Sequence, residues 1–285
     1  MKFVIAIALL FSFISHNLLA QDTESPKIDL HLNLLPGDSY LYSVSVDQKM
    51  AQEIIGEQLE MNQKLDTDYK YTIESNDGES IKIKASCERL QLTVDHPGDQ
   101  IEYNSEIKGS DSRFSELDNL IGKPFYLFLD TRGNIYKIEG FKELGDGLSS
   151  NEFLKKLFTD STLINSLNMD IYPPHPVSIG SSWNKLANID LINIQLQNNL
   201  SYTLEGTSED IAWVNVNGDI TGLADTSDLK LNLKGTQSGT IETDLKSGLI
   251  SYGNIQTEIE ASIQSLDLIS PMKLTSETKI SSRKL

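Results

Sequence analysis

Pro36-Gly37-Asp38-Ser39-Tyr40 and Val177-Ser178-Ile179-Gly180-Ser181-Ser182-Trp183 read as one feature met twice. In each, an apolar run meets a glycine, two small polar residues and an aromatic. A long segment that alternates apolar and polar then follows. Alternation at every second residue is the pattern of a half-buried β-strand. The two stretches therefore mark the first strand of each of two similar halves.

Working outward from the first stretch, Tyr40, Tyr42, Val44 and Val46 alternate. The pattern weakens around Gly56, which reads as a turn between one arm with Met50 or Ile54 and another with Leu59 or Met61. Tyr69, Tyr71 and Ile73 resume it. Asn76-Asp77-Gly78 is a hairpin turn, and Ile81, Ile83 and Ala85 return on its far side. His96-Pro97-Gly98-Asp99 turns the chain again. Phe114, Leu117, Leu120 and Ile121 have helical spacing and predict a short helix stopped by Gly122-Lys123-Pro124. Phe125 to Asp130, a turn at Thr131 to Asn134, and Ile135 to Ile138 form strand, turn and strand. Upstream, Leu30-His31-Leu32-Asn33-Leu34 alternates and reads as a strand.

The second stretch opens a parallel series. Tyr202-Thr203-Leu204-Glu205 matches Tyr71-Thr72-Ile73-Glu74. Asp244 to Ile250 echoes Asp130 to Ile135 with one residue inserted. Ile255, Ile259, Ile263 and Leu266 to Ile269 predict a long final strand, which Lys273 to Leu285 either extends or frays. Three anchors recurring in one order predict an internal duplication. Between the halves, Ser149-Ser150-Asn151-Glu152 fits a capping box, in which serine accepts from a free amide and glutamate reaches back. Phe153, Leu157, Ile164 and Leu167 then fall on one stripe of a predicted helix, which Tyr172-Pro173-Pro174 ends.

The expected organisation is a signal peptide over 1–20, a β-rich half over 21–148, a linking helix and Pro-rich linker over 149–176, and a second β-rich half over 177–285. The fold class is mainly β with a few helices, as two half-barrel-like curved antiparallel sheets. A β-sandwich and a single large barrel are the alternatives. A curved sheet closed by a helix resembles the half-barrel of periplasmic lipoprotein carriers, an analogy of fold alone.

Lys2, the apolar run Phe3 to Ile14 and the small residue Ala20 have the order of a secretory signal, with Gln21 starting the mature chain. The run is shorter than the roughly 20 residues of a membrane span, and the residue directly after Ala20 is Gln21, not a cysteine that could carry a lipid. The expected location is periplasmic or secreted, without stable membrane insertion. The formal charge of −17 sets the chain against phosphate backbones, so nucleic acid is not an expected partner. Cys87 is the only cysteine, which excludes an internal disulfide and reads as a small buried strand residue.

The matching elements, Gly37-Asp38-Ser39-Tyr40, the strand with Tyr71, the block from Gly122-Lys123-Pro124-Phe125 to Gly133, and the lead into Trp183, resemble a family of uncharacterised exported proteins of Bacteroidetes-type bacteria. That resemblance covers nearly the whole mature chain and implies architecture and compartment, with no catalytic residues to carry over. Ser181 departs from it, standing where an acidic residue like Asp38 is expected.

Chemical motifs are sparse. His31, His96 and His175 have no metal-ligand spacing, and no His-Glu-x-x-His, Gly-x-Ser-x-Gly or phosphate-binding loop occurs. Asp66 with Asp68, and Asp225 with Asp228, lack the full ligand set of a calcium loop. No catalytic residue, metal site or cofactor is therefore assigned. Tyr40 and Trp183 are the candidate ligand-binding residues, as aromatics in equivalent positions that would line a shared groove; the other reading makes each a plug at the end of a sheet. The leading function is a non-catalytic exported protein that binds an apolar ligand or an envelope protein through a curved sheet. The alternatives are a structural or protein-interaction module with solid cores, and a hydrolase using paired carboxylates. Oligomeric state is not encoded in any motif.

Overall fold

The computed structural model describes residues 26–146, 164, 167–191, 194–225, 230–265 and 268–285. The first half contributes β1 (Ser39–Ile54), β2 (Glu57–Asn76), β3 (Ser80–His96), β4 (Asp99–Asn104), β5 (Pro124–Asp130) and β6 (Ile135–Glu139). A 3-10 helix, Ser112–Asn119, and a short helix α1, Phe141–Asp146, accompany them. The second half contributes β7 (Ser182–Leu191), β8 (Ile194–Thr207), β9 (Ile211–Asp225), β10 (Lys230–Asp244), β11 (Ile250–Ser265) and β12 (Leu268–Lys284).

The mainly β class holds, but the halves do not form two sheets. All strands belong to one 12-stranded sheet in the order β6-β5-β3-β2-β1-β12-β11-β10-β9-β8-β7, with β4 added beside β3. The joint is the antiparallel pairing of β1 with β12, from Tyr40 opposite Lys284 to Gln52 opposite Met272. Each of these strands alternates cleanly, so each buries one face and offers a whole edge to the other. The predicted long final strand is two strands, Ile255 to Ile263 lying in β11, while Lys273 to Lys284 continue β12 from Leu268. β12 lies at the centre of the sheet.

The sheet curls strongly, and backbone bonds show by how much. β5 and β7 are nine steps apart in the strand order, roughly 43 Å if the sheet were flat at ~4.8 Å per strand. Yet Met169 donates its amide to Gly133 in the turn after β5 (3.2 Å), and the carbonyl of Ile171 accepts from the Trp183 indole on β7 (2.7 Å). Two residues of chain span at most about 7 Å. Likewise the adjacent amides of Leu32 and Asn33 reach Thr131 and Ser247, in the turns after β5 and β10 (both 2.8 Å). One end of the sheet is therefore drawn nearly into a ring. It is not a closed barrel, because β6 and β7 do not pair with each other.

Glycines permit this bend. Gly218, Gly222, Gly235, Gly239 and Gly253 all fall on the inner face of β9 to β11 by register. A Cβ at Gly218 would stand 2.6 Å from Leu200, and one at Gly239 2.8 Å from the Ile255 Cα. Neighbouring strands approach there too closely for a side chain.

The drawn end is plugged. Leu30, Leu32 and Leu34 are buried, and so are Leu167, Met169 and Tyr172. These two lead-in segments fill the ring and pack against Tyr42, Tyr71, Ile83, Leu127, Leu204, Val214 and Ile250 in one core cluster. Each fully buried leucine is worth about 1.5–3 kcal/mol of transfer free energy. Leu30 to Leu34 is consequently not the strand that its alternation predicts. Its alternation reflects one side facing the core, while its amides serve turns instead of a ladder. Tyr172 and Pro173, expected in a linker, are also buried. An antiparallel bridge from Ile28 to Val177 ties the two segments together.

The helix predicted from Ser149 lies outside the described residues, apart from Ile164 and Leu167, which are helical. The signal segment lies outside them as well. The short helix predicted around Phe114 is the 3-10 helix. It covers the inner face of β3 beside Cys87, Leu90 and Tyr103.

Candidate ligand-binding face

The two stretches that decide the fold make the same bonds in both halves. Gly37 donates to Ile73 (2.8 Å), and Gly180 donates to Leu204 (2.7 Å). Ile73 donates back to Asp38 (2.9 Å), and Leu204 donates back to Ser181 (3.0 Å). The hydroxyls of Ser39 and Thr72 meet at 3.1 Å, and those of Ser182 and Thr203 at 2.8 Å. Tyr40 lies opposite Tyr71, and Trp183 opposite Tyr202. Asp130 Oδ1 accepts from the amides of Arg132 and Asn134; Asp244 Oδ1 accepts from those of Lys246 and Ser247.

Ser181 differs from Asp38 for a structural reason. Asp38 accepts from Lys284 at the end of β12 (2.6 Å) and from the Tyr40 hydroxyl (3.2 Å). The bond from Lys284 holds its carboxyl below the usual range. Among the described residues β7 pairs with β8 alone, so none of the described strands brings a cation to Ser181.

Tyr40 and Trp183 are both buried in the plugged core. Burial, with the Asp38 carboxylate beside it, pushes the Tyr40 phenol up to about 12. Tyr40 lines a recess of about 440 Å³ with Asp38, Asp244, Lys246 and Lys284. Trp183 is not part of that recess; it stacks on Tyr202 with ring centres 5.8 Å apart. The two aromatics thus occupy matching positions in the two halves, with Tyr40 beside a recess that Trp183 does not line.

The longer strands continue past the plug, and there the two faces differ. By register, one inner row runs Ile220, Gly235, Ile259, Leu274, Met50 and Met61. The next runs Leu196, Gly222, Leu233, Ala261, Met272, Gln52 and Leu59. Neither row carries a charge. Ile220, Ile259, Leu274, Met50 and Met61 are half-buried, while Leu231, Leu233, Ala224 and Ala261 are buried against strand neighbours. The outer face of the same strands carries Asp219, Lys234, Glu258, Glu260 and Lys273. Open depressions of about 530 and 610 Å³ lie along these strands, lined by charged and polar residues such as Asp219, Lys234 and Glu258 together with Ile220, Ile259, Leu223 and Leu233. Sequence reading found the alternation but could not see which rows join into one apolar surface.

Asp68, considered for a cation, accepts instead from Ser43 (2.6 Å) and Arg89 (2.8 Å). His31 lies 3.4 Å from Asp29 and His96 lies 3.9 Å from Asp99, both partly exposed. No helix among the described residues is long and apolar enough to cross a membrane.

The family model that matches residues 78–250 is that of a family of unknown function, DUF6263. The chain belongs to DUF6263. A search of curated proteins finds no match. Among solved structures, this DUF6263 chain is similar to lipovitellin, in a structure described for its lipid–protein interactions. The TM-score is 0.50 at 12% identity, over 88% of this chain and 25% of that one. The chain thus spans about a quarter of the lipovitellin chain, and the likeness is one of fold. OccK7 of Pseudomonas aeruginosa matches 87% of the DUF6263 chain and 100% of its own at a TM-score of 0.25 and 6% identity, too slight to argue from.

Proposed function

We propose that this protein is a non-catalytic carrier that holds an apolar ligand against the inner face of its incompletely closed sheet. The observation that carries this reading is the pair of uncharged apolar rows beyond the plug, backed by a charged outer face. The inner rows hold no carboxylate, which removes the geometry a two-carboxylate hydrolase needs there. Likeness of fold to lipovitellin, a protein described for lipid contacts, supports the lipid class of ligand.

The test is titration of the purified protein with N-phenyl-1-naphthylamine, an apolar dye that brightens on leaving water. Ile259→Glu places a charge in the middle of the inner row and abolishes the brightening. Glu258→Gln, one residue away on the outer face, leaves it intact. Equal binding by both variants removes this reading.

A protein partner is favoured by one separate feature. Among the described residues β7 pairs only with β8, so its other edge offers a row of amides and carbonyls to an added strand. Crosslinking in the native envelope tests it. Export with cleavage after Ala20, and descent of the halves from a duplicated unit, belong to the same proposal. N-terminal sequencing of the mature protein checks the first, and the matched bonds at Gly37 and Gly180 support the second.

A further inference from the structure

Between the plug and the apolar rows, one row of the inner face is polar. It runs Gln237, Thr257, Ser276, Gln48 and Gln63 in register across β10, β11, β12, β1 and β2. Asn198 of β8 reaches this row from one step farther out. Its Nδ2 donates to Gln237 Oε1 (3.1 Å), and Gln237 Nε2 donates to Thr257 Oγ1 (3.2 Å). The reach is made over β9, where Gly218 occupies the row and contributes no side chain. The donors therefore run in one direction along the row, and among the described residues Asn198 Oδ1 is left buried with no partner. A buried amide oxygen without a donor is costly, and an arriving donor recovers that cost.

The surroundings restrict the donor. No carboxylate stands on the polar row or on the two apolar rows, so nothing there compensates an ammonium taken out of water. Lys185, on the same face of β7, is already paired with Asp170. Among the described residues an anionic head finds no free cation on these rows, and it meets a chain of net charge −17. A neutral hydroxyl satisfies the oxygen without either penalty.

Resting on the carrier reading above, we propose that the ligand is an amphiphile with a neutral hydroxyl-bearing head. The head hydroxyl donates to Asn198 Oδ1 at the polar row. The alkyl tail lies outward along Ile220, Ile259, Leu274 and Met50. Asn198 is a positioning contact for the head and sets the polarity of what binds.

The experiment displaces N-phenyl-1-naphthylamine from the mature protein with monoolein and, separately, with methyl oleate. The two share a tail, and only monoolein carries hydroxyl donors. Monoolein displaces the dye at about five-fold lower concentration, the size expected of one neutral hydrogen bond. In Asn198→Leu that ratio falls to about one while methyl oleate is unaffected. Equal displacement by the two lipids in the unaltered protein overturns the head-group assignment and leaves the carrier reading standing. A preference for monoolein that survives Asn198→Leu also overturns it. Dye that never binds removes the carrier reading, and this inference with it. The comparison in the unaltered protein decides the matter even if the variant does not fold.

Discussion

Gly248 packs directly on His31, its Cα facing the His31 carbonyl across the junction between the β10–β11 turn and the first plug segment. Its φ is +77°, and a Cβ there would overlap the His31 carbonyl and stand 2.7 Å from the Leu32 Cα. Both contacts are with backbone, which cannot swing aside. Gly248→Ala should cost about 3 kcal/mol or more, combining ~1–2 for the left-handed conformation with ~1–3 for overpacking. Gly180→Ala, at φ +85° with open space around it, should cost about 1 kcal/mol. Urea unfolding of the two variants measures the difference. Equal losses would mean that the plug does not close on the turn as described.

Two buried tyrosines should respond oppositely to loss of their hydroxyls. Tyr172 donates to the Gly248 carbonyl, tying the second plug segment to the same turn. Tyr71 is fully buried, and among the described residues its hydroxyl has no partner. Tyr172→Phe should lower stability by about 1–2 kcal/mol, because it leaves the carbonyl unpaired. Tyr71→Phe should be neutral or stabilising by up to ~1 kcal/mol, since it removes an unpaired polar group and keeps the ring stacked on Tyr42. Paired thermal melts of the two variants give the comparison.

These relationships show what the sequence could and could not reveal. The alternation at Tyr40, Tyr42, Val44 and Val46 reports one buried face, and that is a local property. So are the hairpin at Asn76-Asp77-Gly78 and the threshold at Gly37. The pairing of Tyr40 with Lys284 is not local. Nothing in either strand's own pattern says which other strand it will join, so a single sheet and a pair of sheets predict the same alternation. Leu30 to Leu34 misleads for a related reason: a plug segment with one buried side alternates like a strand. Glycines at 218, 222, 235 and 239 were a readable sign of inward bending, since small residues at every fourth position of adjoining strands leave the concave side bare. Asn198 reads as one polar residue among many until register places it on the inner face.

Acid should weaken the outer face at a definable point. Burial works to raise the Asp68 carboxyl, but its bonds from Arg89 and Ser43 and the charges of Arg89 and Arg283 outweigh this and hold it below the usual range. A carboxylate whose pKa is lower in the folded than in the unfolded chain adds stability above the unfolded value. That stability is lost as pH falls through the folded value. Arg89→Met removes the main cation, so the variant should be less stable by up to about 1 kcal/mol at pH 7, as for partly exposed pairs. The gap should narrow at pH 3, below the unfolded carboxylate's value of about 4, where the contribution of the pair is being lost. Urea midpoints at the two pH values test this, and an equal loss at both would assign the effect to packing of the arginine stem.

Cys87 should behave as a core residue. Its side chain is on the inner face opposite Tyr69, 8% exposed, and packed with Leu90, Tyr103, Leu117 and Leu120. Burial pushes the thiol up to about 12, against a weaker opposing bond to the Arg89 carbonyl. Only the thiolate attacks a disulfide reagent, so at pH 8 both the ionised fraction and the access are small. Reaction with Ellman's reagent should be slow in native buffer and immediate in concentrated urea. Its rate should rise in Leu117→Ala, which opens the 3-10 helix over the thiol, more than in Gly180→Ala, which is destabilised at the far half. Equal acceleration in the two variants would mean that the thiol is reached only through global unfolding. A preference for Leu117→Ala would show that the cover over β3 opens by itself.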